Sequence, residues 1–323
     1  MSKMQRNIPL KDFSNYKIGG PASFFLEVKS VEDLKQGLSE FYGMFPNGES
    51  RPEVFILGSG TNVLIDDKGF SGLVLRNLIS HLKLIDGVNV EAGSGTSFKD
   101  LVDFCIENSL SGLEWAGGLP GTVGGATRGN AGAFKGETKD SIKSVESVDL
   151  KTLEKKTRAV GECNFGYRTS IFKKGEGERE MIVSAVFEFK RGDREEIRSA
   201  TYEKTSYRNK KHPLDYPNIG STFKNIPYDT IPDQFREEFK AYIKDDPFPI
   251  VPVAKLLALS GLKGREAGGA QISEKHPNFI VNKGSASSND VRSLIQTAKD
   301  VIKKNYLIDL EEEIYYLPPA MQV

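Results

Sequence analysis

Two glycine-rich segments of this 323-residue chain carry the residue types that could bind phosphate. The first is Gly58-Ser59-Gly60-Thr61-Asn62, which directly follows an apolar segment, Val54 to Leu57. Closely spaced glycines leave backbone N–H groups open to an anion, so this loop could cradle a diphosphate. It is neither a dinucleotide fingerprint nor a Walker loop, because Val63 interrupts the G-x-G-x-x-G pattern and no Gly-Lys-Ser/Thr occurs.

The second segment, Trp115 to Gly136, is the most glycine-dense part of the chain, and its apolar residues are placed too regularly for a linker. A third loop, Gly93-Ser94-Gly95-Thr96, has the same composition. Taken alone, each cluster is as consistent with tight turns as with a ligand cradle. Because two of them lie at the ends of predicted strands, they favour a large phosphate-bearing cofactor.

Hydrophobic periodicity predicts the elements that would position these loops. Strands are predicted at residues 23–28, 54–57, 72–75, 88–92, 145–150 and 181–189. Amphipathic helices are predicted after the N-cap Ser30, over 98–106, over 253–260, and from the N-cap Ser288 through 302. An exposed, charged helix over 191–211 and a short helix around 234–243 complete the pattern. The main domain boundary is predicted near residue 200.

Composition narrows the possible partners. The 44 basic and 44 acidic side chains balance, so no global charge attracts nucleic acid or an anionic membrane. The chain is 38% apolar and 27% charged, which is ordinary globular composition. No stretch has the apolarity of a secretory signal or membrane span, so a cytoplasmic protein is expected. Cys105 and Cys163 provide neither a disulfide framework nor a zinc site, and no metal site is predicted.

Ten short motifs occur in the order found in one known family. They are Asn15–Ala22, Leu57–Leu64, Gly121–Ala126, Asn130–Ala133, Phe165–Ser170, Gly220–Asn225, Gly261–Gly264, Gly268–Ala270, His276–Asn282 and Leu310–Ile314. In this order they resemble the motifs of the UDP-N-acetylenolpyruvoylglucosamine reductases, flavoenzymes of peptidoglycan synthesis. The resemblance extends over nearly the whole chain, which makes coincidence remote.

The resemblance implies an α+β fold with a vanillyl-alcohol-oxidase (PCMH)-type FAD-binding domain and a smaller α+β substrate-binding domain. The expected FAD-binding subdomains are residues 1–78 and 79–200, and the expected substrate domain is 201–323. It also implies that NADPH reduces non-covalent FAD, after which the enolpyruvyl ether of UDP-N-acetylglucosamine is reduced to UDP-N-acetylmuramate. The protein is expected to be a monomer.

The implied catalytic residues are Arg168, Ser221 and Glu313. Hydride addition to a vinyl carbon places negative charge on the adjacent carbon and its carboxylate, so the site needs a cation and a proton donor. The guanidinium of Arg168 would stabilise the enolate, Ser221 would donate the proton, and Glu313 would assist. Lys224 is a candidate for making the serine more acidic. Because three glutamates are consecutive, Glu311 is the alternative to Glu313.

Binding residues follow from the same motifs. The implied cofactor-binding residues are Gly58, Ser59, Gly60, Thr61, Asn62, Pro120, Gly121, Thr122, Gly125, Ala126 and Gly132. The implied substrate-binding residues are Tyr167, Arg208, Lys211 and Asn225, which supply the cations and amides that diphosphate and carboxylate recognition requires. None of the three histidines, His81, His212 and His276, lies in a glycine loop, so covalent flavin attachment is not expected. His276 is predicted to be a structural hydrogen-bonding residue.

The separation from Arg168 to Ser221 resembles the shorter of two family subtypes, which lacks a substrate-capping tyrosine loop. The chain from Ser221 to Glu313 is longer than that subtype suggests, and the surplus is assigned to an insertion at 228–252 whose role the sequence does not reveal. Two alternatives stay open. One is another FAD-dependent oxidase or dehydrogenase of the same fold, and the other is a non-catalytic nucleotide-sugar-binding protein.

Overall fold

The computed structural model describes residues 3–45 and 52–319, which form two compact units. The first unit comprises the described residues of Met1–Ile8, Ala22–Ser59 and Ser71–Tyr207. The second comprises those of Pro9–Pro21, Gly60–Phe70 and Arg208–Val323. The boundary between Tyr207 and Arg208 lies close to the one predicted near residue 200. Two N-terminal segments, Pro9–Pro21 and Gly60–Phe70, belong to the second unit, whereas the predicted substrate domain comprised only residues 201–323.

Helices and strands alternate irregularly along the chain. The helices are α1 Val31–Gly43, α2 Phe98–Glu107, α3 Val123–Gly129, α4 Arg194–Lys211, α5 Asp233–Lys240, α6 Val253–Leu259 and α7 Ser288–Tyr306. The strands are β1 Gln5–Pro9, β2 Pro21–Val28, β3 Val54–Leu57, β4 Val63–Ile65, β5 Phe70–Asn77, β6 Leu82–Leu84, β7 Asn89–Gly93, β8 Leu110–Ser111, β9 Gly132–Ala133, β10 Gly136–Glu137, β11 Ile142–Asp149, β12 Lys155–Ala159, β13 Glu180–Glu188, β14 Lys190–Arg191, β15 Ile226–Pro227, β16 Lys244–Asp245, β17 Pro249–Val251, β18 Glu266–Ala267, β19 Ala270–Ile272, β20 Ile280–Asn282 and β21 Tyr315–Leu317.

Serine caps start the amphipathic helices. The Ser30 hydroxyl accepts a hydrogen bond from the Asp33 N–H at 3.0 Å, which confirms the predicted start of α1. The predicted cap of α7 was wrong by one residue, because Ser287 and Asp290 form a reciprocal capping box. Ser288 instead donates its hydroxyl to Asp67 Oδ2 at 2.8 Å.

The first unit contains two sheets. One is four-stranded in the order β1-β2-β5-β3, and the other is five-stranded in the order β12-β11-β13-β7-β6, with antiparallel pairing throughout the latter. Helices α2 and α3 pack with one hydrophobic cluster of the five-stranded sheet, and α1 packs with a second cluster. The central strand β13 contributes to both clusters, so it is buried on both faces. This explains its nearly continuous apolar sequence.

The side chains of β13 do not alternate strictly between the two faces of the sheet. Ala185 and Phe187 belong to the cluster with α2 and α3, whereas Val183 belongs to the cluster with α1. The pairing of β13 with β11 shifts register between Glu146 and Ser147, and such a β-bulge changes which face the following side chains occupy.

The second unit is built around α7, which packs on the three-stranded sheet β18-β19-β20. The parallel pair β4 and β21 brings residues 60–70 into this unit. The N-terminal motif joins it through two buried hydrogen bonds: the Tyr16 hydroxyl donates to the Ile280 carbonyl at 2.8 Å, and Asn282 Nδ2 donates to the Tyr16 carbonyl at 2.9 Å. These bonds give Tyr16 and Asn282 a structural role.

The insertion at 228–252 contributes α5, β16 and β17 to the second unit. On α5, Phe239 is fully buried, and its ring lies 5.0 Å from the ring of Tyr306 on α7 in an edge-to-face arrangement. Phe235 makes a similar contact with Tyr306 at 5.5 Å. The insertion therefore covers the C-terminal end of α7 with aromatic side chains.

Removing the central ring of this contact tests whether the insertion stabilises the unit. We expect Phe239→Ala to lower the free energy of unfolding by about 3–5 kcal/mol, because a buried aromatic side chain is lost and a cavity remains. Urea unfolding followed by fluorescence measures the change. Glu238→Ala, an exposed position on the same helix, is the control and should change stability by less than about 0.5 kcal/mol. A loss below about 1 kcal/mol for Phe239→Ala would contradict this role.

Candidate active site

Two glycine-rich loops of the first unit are joined by backbone hydrogen bonds. The Val123 N–H donates to the Thr96 carbonyl at 2.9 Å, and the Gly124 N–H donates to the Ser94 carbonyl at 2.8 Å. These bonds hold residues 93–97 beside the first turn of α3. The loop at residues 93–97 and the loop that precedes α3 therefore form one continuous backbone surface, and only the second of them was predicted to contact a cofactor.

Thr122 lies where the loop that begins at Gly58 approaches this backbone surface. Its hydroxyl accepts a hydrogen bond from the Gly125 N–H at 3.3 Å, and a Cβ added to Gly58 would come within 3.0 Å of Thr122 Oγ1. Gly58 therefore allows a close approach that a larger residue would obstruct. Within the first unit, the predicted cofactor residues Gly58, Thr122 and Gly125 are thus brought together.

The remaining predicted cofactor residues of the first unit differ in accessibility. Ser59, Pro120 and Gly125 are exposed, Gly121 is half-buried, and Ala126 and Gly132 are buried. Gly121 has φ +116°, a conformation that favours glycine. Exposed and half-buried backbone around Thr122 is what a non-covalently bound phosphate group requires.

Two buried polar atoms nearby have no hydrogen-bond partner among the described residues. They are Thr127 Oγ1 on α3 and Trp115 Nε1, which lies just before the glycine-dense loop. Leaving a buried polar group without a hydrogen bond costs free energy, so such groups usually bind a ligand, an ion or a water molecule. Together with the close-packed glycine loops, these atoms fit a polar cofactor such as a flavin dinucleotide.

The chain crosses from the first unit to the second between Ser59 and Gly60. On the second unit's side, the carbonyls of Gly60 and Asn62 accept hydrogen bonds from the N–H groups of Asn15 and Tyr315. Within the described residues, the N–H groups of Gly60, Thr61 and Asn62 donate to no protein acceptor. The carbonyls of Gly60 and Asn62 are thus hydrogen-bonded within the protein, while backbone N–H groups of the same loop could still donate to a ligand. This is the arrangement expected of an anion-binding loop.

Arg168 lies in a tight turn of the first unit. The Thr169 N–H donates to the Gly166 carbonyl, and the Gly166 N–H donates to the Thr169 carbonyl at 3.0 Å, which leaves Tyr167 and Arg168 as the central residues. Arg168 has φ +55°, an unfavourable conformation for a residue with a side chain. Its guanidinium lies 5.2 Å from the centre of the Tyr167 ring, so these two predicted site residues are in contact.

Ser221 and Glu313 lie in the second unit, on two segments that pair with each other. The Glu313 N–H donates to the Thr222 carbonyl at 2.8 Å, and the Lys224 N–H donates to the Glu311 carbonyl at 2.9 Å. We call the paired residues 222–224 and 311–313 the Thr222–Glu313 ladder. Ser221 immediately precedes it and Glu313 belongs to it, so the backbone fixes their separation.

Asn278 forms hydrogen bonds to the other edge of the Thr222–Glu313 ladder. Its backbone carbonyl accepts from the Thr222 N–H at 2.7 Å, and its side-chain amide exchanges two hydrogen bonds with the backbone of Phe223. A further amide, Asn62 Nδ2, donates to the Glu313 carbonyl at 3.1 Å. Sequence analysis assigned no role to Asn278, although it lies in a quoted motif.

The three consecutive glutamates have different partners. Glu311 is exposed and pairs with Lys224, while Glu312 is bound by Lys299 and by the Tyr316 hydroxyl. Burial, followed by the hydrogen bond to Glu312, raises the pKa of Tyr316. Glu313 is half-buried. The structure thus engages Lys224 with Glu311, the alternative glutamate, rather than with Ser221.

The predicted substrate-binding residues of the second unit are not equally accessible. Arg208 is buried, Lys211 is exposed at the end of α4, and Asn225 is half-buried. Asn225 Oδ1 accepts a hydrogen bond from the Val253 N–H at 3.2 Å, at the start of α6. This bond gives the side-chain oxygen of Asn225 a structural partner.

Comparison with known proteins identifies the family. Residues 212–317 match the family model of the UDP-N-acetylenolpyruvoylglucosamine reductase C-terminal domain, and residues 26–152 match that of an FAD binding domain. The reductase of that name from Fervidobacterium nodosum is 36% identical, covering 95% of this chain and 90% of its own length. The one from Chlamydia abortus is also 36% identical, covering 98% and 95%. This chain belongs to the UDP-N-acetylenolpyruvoylglucosamine reductase family.

A solved structure supports the same assignment. The crystal structure of UDP-N-acetylenolpyruvylglucosamine reductase from Thermus caldophilus has a TM-score of 0.74 and 27% sequence identity, covering 98% of this chain and 99% of its own. The α+β fold with a PCMH-type FAD-binding domain and a C-terminal domain, expected from the sequence resemblance, is confirmed.

This member of the reductase family places two histidines in contact in its second unit. The rings of His212 and His276 are 5.4 Å apart, and both pack against Phe279. Burial lowers the pKa of each to about 4, and nearby cations, Arg208 and Lys275 beside His212, act in the same direction. Both imidazoles are therefore neutral near pH 7. Nδ1 of His276 has no hydrogen-bond partner among the described residues.

Two kinds of feature, a metal-binding group and a membrane-spanning helix, are not found in the part of the chain that the structure describes. There, no three His, Cys, Asp or Glu side chains form a group that could hold a metal ion. Across residues 3–45 and 52–319, no helix has both the length and the apolarity that crossing a membrane requires. Both cysteines are buried, and burial raises the pKa of the Cys163 thiol to about 11.

The histidine pair makes stability sensitive to acid. Because the folded pKa of about 4 lies below the unfolded value near 6.5, the unfolded chain takes up protons first as the pH falls. Stability should be fully present above about pH 6.5 and decline towards pH 4, by up to about 3 kcal/mol for each histidine. Urea unfolding between pH 7.5 and 4.5 measures the slope.

His212→Gln should flatten this pH dependence, because the variant has one titrating imidazole fewer. His81→Gln, in the first unit, is the matched control, since its imidazole pairs with Glu91 at the surface. An equal slope for His212→Gln and the unmodified protein would show that the pair does not govern acid stability.

Proposed function

We propose that this protein reduces the enolpyruvyl ether of UDP-N-acetylglucosamine to UDP-N-acetylmuramate with NADPH, through non-covalently bound FAD. The observation that carries the proposal is the Thr222–Glu313 ladder, in which the residue after Ser221 accepts a backbone hydrogen bond from Glu313, in a chain belonging to the reductase family. In balance, the vinyl group gains a hydride and a proton, while NADPH becomes NADP⁺. Bound FAD would supply the redox chemistry that links NADPH to the vinyl carbon.

The glycine loops would hold the flavin. The proposed contacts are residues that the family motifs imply: Gly58, Ser59, Gly60, Thr61, Asn62, Pro120, Gly121, Thr122, Gly125 and Ala126. Open N–H groups suit the diphosphate, because backbone donors bind anions without a steric barrier. The unpartnered Thr127 hydroxyl and Trp115 indole N–H are further donors available to the cofactor.

Arg168 would stabilise the negative charge that hydride addition creates. A guanidinium is permanently charged and presents paired donors, which suits the enolate of a carboxylate. The strained backbone of Arg168 supports this role, because strain of this kind concentrates at functional residues. Tyr167, Arg208, Lys211 and Asn225 are proposed to bind the substrate.

Ser221 would give its proton to the carbon next to the carboxylate. A free hydroxyl is a weak acid, so the transfer depends on a neighbour that stabilises the charge left behind. Lys224 is engaged by Glu311, whereas Glu313 is held through its backbone at the end of the ladder. We therefore assign the assisting role to Glu313 and not to Glu311.

Further properties are part of the same proposal. The reaction belongs to peptidoglycan precursor synthesis, and through it to cell shape and division. NADPH and UDP-sugars are cytoplasmic metabolites, which places the activity in the cytoplasm, and we propose that the protein acts as a monomer.

The experiment that tests the proposal follows NADPH consumption by the purified flavoprotein under anaerobic conditions, with and without the enolpyruvyl ether. Consumption beyond one equivalent per flavin should depend on the ether, and UDP-N-acetylmuramate should accumulate in equal amount. Flavin that stays reduced in the presence of the ether, and reoxidises only in air, would instead indicate an oxidase. Binding of FAD without any NADPH oxidation would indicate a non-catalytic protein.

Ser221→Ala separates the two halves of the reaction. We expect flavin reduction by NADPH to stay within about threefold of the unmodified rate, while reoxidation by the ether slows on the order of 10³-fold, because the proton donor is lost. Anaerobic stopped-flow absorbance measures both rates. Ser293→Ala, an exposed serine on α7, is the matched control. Unchanged reoxidation in Ser221→Ala would remove this serine from the mechanism.

A further inference from the structure

A short β-hairpin of the first unit lies against Arg168. Strands β9 and β10 pair Gly132 with Glu137, and the two turn residues between them are Phe134 and Lys135. These have φ +51° and +68°, in the left-handed region usually filled by Asn-Gly in two-residue hairpins. Each such residue with a side chain costs on the order of 1 kcal/mol, so the surrounding structure must hold the hairpin in place.

Three neighbours hold it. The ring of Phe134 lies edge-on to Tyr207 of α4 at 5.4 Å, and Lys204 Nζ lies 5.5 Å from the centre of the same ring. On the strand side, Gly136 packs directly on the indole of Trp115. The hairpin is therefore a fixed surface against which another side chain can be placed.

The guanidinium of Arg168 is placed on this surface. Its Nη2 donates to the Gly132 carbonyl at 2.7 Å. A Cβ added to Gly132 would lie 2.7 Å from the Gly136 carbonyl oxygen, 2.9 Å from Glu137 Cγ and 3.2 Å from Arg168 Nη1. A side chain at residue 132 would therefore crowd both the opposite strand of the hairpin and the guanidinium.

Glu137 completes the contact from the opposite strand. Its side chain is 7% exposed, and one carboxylate oxygen, Oε2, accepts from Lys139 Nζ. The other oxygen, Oε1, is buried and has no hydrogen-bond partner among the described residues. A buried, half-satisfied carboxylate is costly by itself, and a neighbouring cation lowers that cost. Glu137 Cγ and Arg168 Nη1 both lie close to the position that a Cβ of residue 132 would occupy, at 2.9 and 3.2 Å.

We propose that Gly132 and Glu137 are positioning residues that fix the guanidinium of Arg168 for the enolpyruvyl half-reaction. Gly132 provides the carbonyl acceptor and the space, and Glu137 provides the buried opposite charge. The inference rests on the function proposed above. It also gives Gly132 a role different from the flavin contact that the family resemblance implies.

A double-mutant cycle with Arg168 tests the proposal in the full-length flavoprotein. Gly132→Ala should leave the FAD content and the rate of reduction by NADPH unchanged, and slow reoxidation by the ether on the order of 10- to 100-fold, because the guanidinium is displaced. In the Arg168→Ala background the same change should have no further effect on reoxidation, because its target is already absent. Gly161→Ala, where a Cβ meets nothing within 4 Å, is the matched control.

Glu137→Gln keeps the shape of the side chain and removes its charge. In the protein that retains Arg168, this change should slow flavin reoxidation by the ether about tenfold. In the Arg168→Ala variant it should not slow reoxidation further. This isosteric variant decides the question in the same way if Gly132→Ala does not fold. Loss of FAD from Gly132→Ala, or effects that multiply with Arg168→Ala in either cycle, would overturn the proposal. Failure of the unmodified protein to reduce the ether would overturn the proposed function instead, and is observed before any variant is made.

Discussion

The pairing of residues 222–224 with 311–313 is the constraint on which the proposed roles of Ser221 and Glu313 depend. These segments are distant in the chain, yet two backbone hydrogen bonds of 2.8 and 2.9 Å align them. The side-chain amide of Asn278 hydrogen-bonds both backbone groups of Phe223, and Asn62 Nδ2 donates to the Glu313 carbonyl. Each partner is itself anchored, because Asn62 precedes β4, and β4 pairs with β21 just beyond Glu313. Ser221 is thereby placed by backbone geometry, which tolerates less variation than side-chain packing.

A complementary constraint operates in the first unit, where conformational strain places the functional side chain. Arg168 is held with a positive φ between two reciprocal hydrogen bonds, and its guanidinium rests on a hairpin whose turn residues are strained as well. Strained conformations persist only where surrounding contacts over-determine them. Here the contacts include the carbonyl of Gly132 and the edge-to-face pair of Phe134 and Tyr207. A fixed guanidinium needs little reorganisation when negative charge develops.

Local sequence patterns predicted local structure well. Apolar periodicity located the main helices and three strands of the five-stranded sheet, β7, β11 and β13, but missed β6 and β12. Ser30 was correctly assigned as a cap, because a cap depends on neighbouring residues. The motif resemblance predicted the family. The sequence did not indicate that residues 9–21 and 60–70 belong to the second unit, because Tyr16 and Asn282 meet through a buried hydrogen bond across most of the chain. Ser287 and Ser288 are both acceptable caps by residue type, but Asp290 lies three residues after Ser287 and forms a capping box with it, while Ser288 contacts Asp67.

The candidate site shows the same limit. The family motif favoured Glu313 and left Glu311 as the alternative, and only the folded structure shows that Glu311 forms an ion pair with Lys224. Glu137 carried no signal beyond its place after a glycine, since burial of one carboxylate oxygen is a property of the folded hairpin.

The central claim is that Ser221 and Glu313 act as one unit on a single proton transfer. A double-mutant cycle on the rate of flavin reoxidation by the enolpyruvyl ether, using Ser221→Ala, Glu313→Gln and the combined variant, tests it most directly. We predict that the combined variant is about as slow as the slower single variant, because residues that serve one step have non-additive effects. Rate losses that multiply, or an unaffected Glu313→Gln variant, would contradict the account.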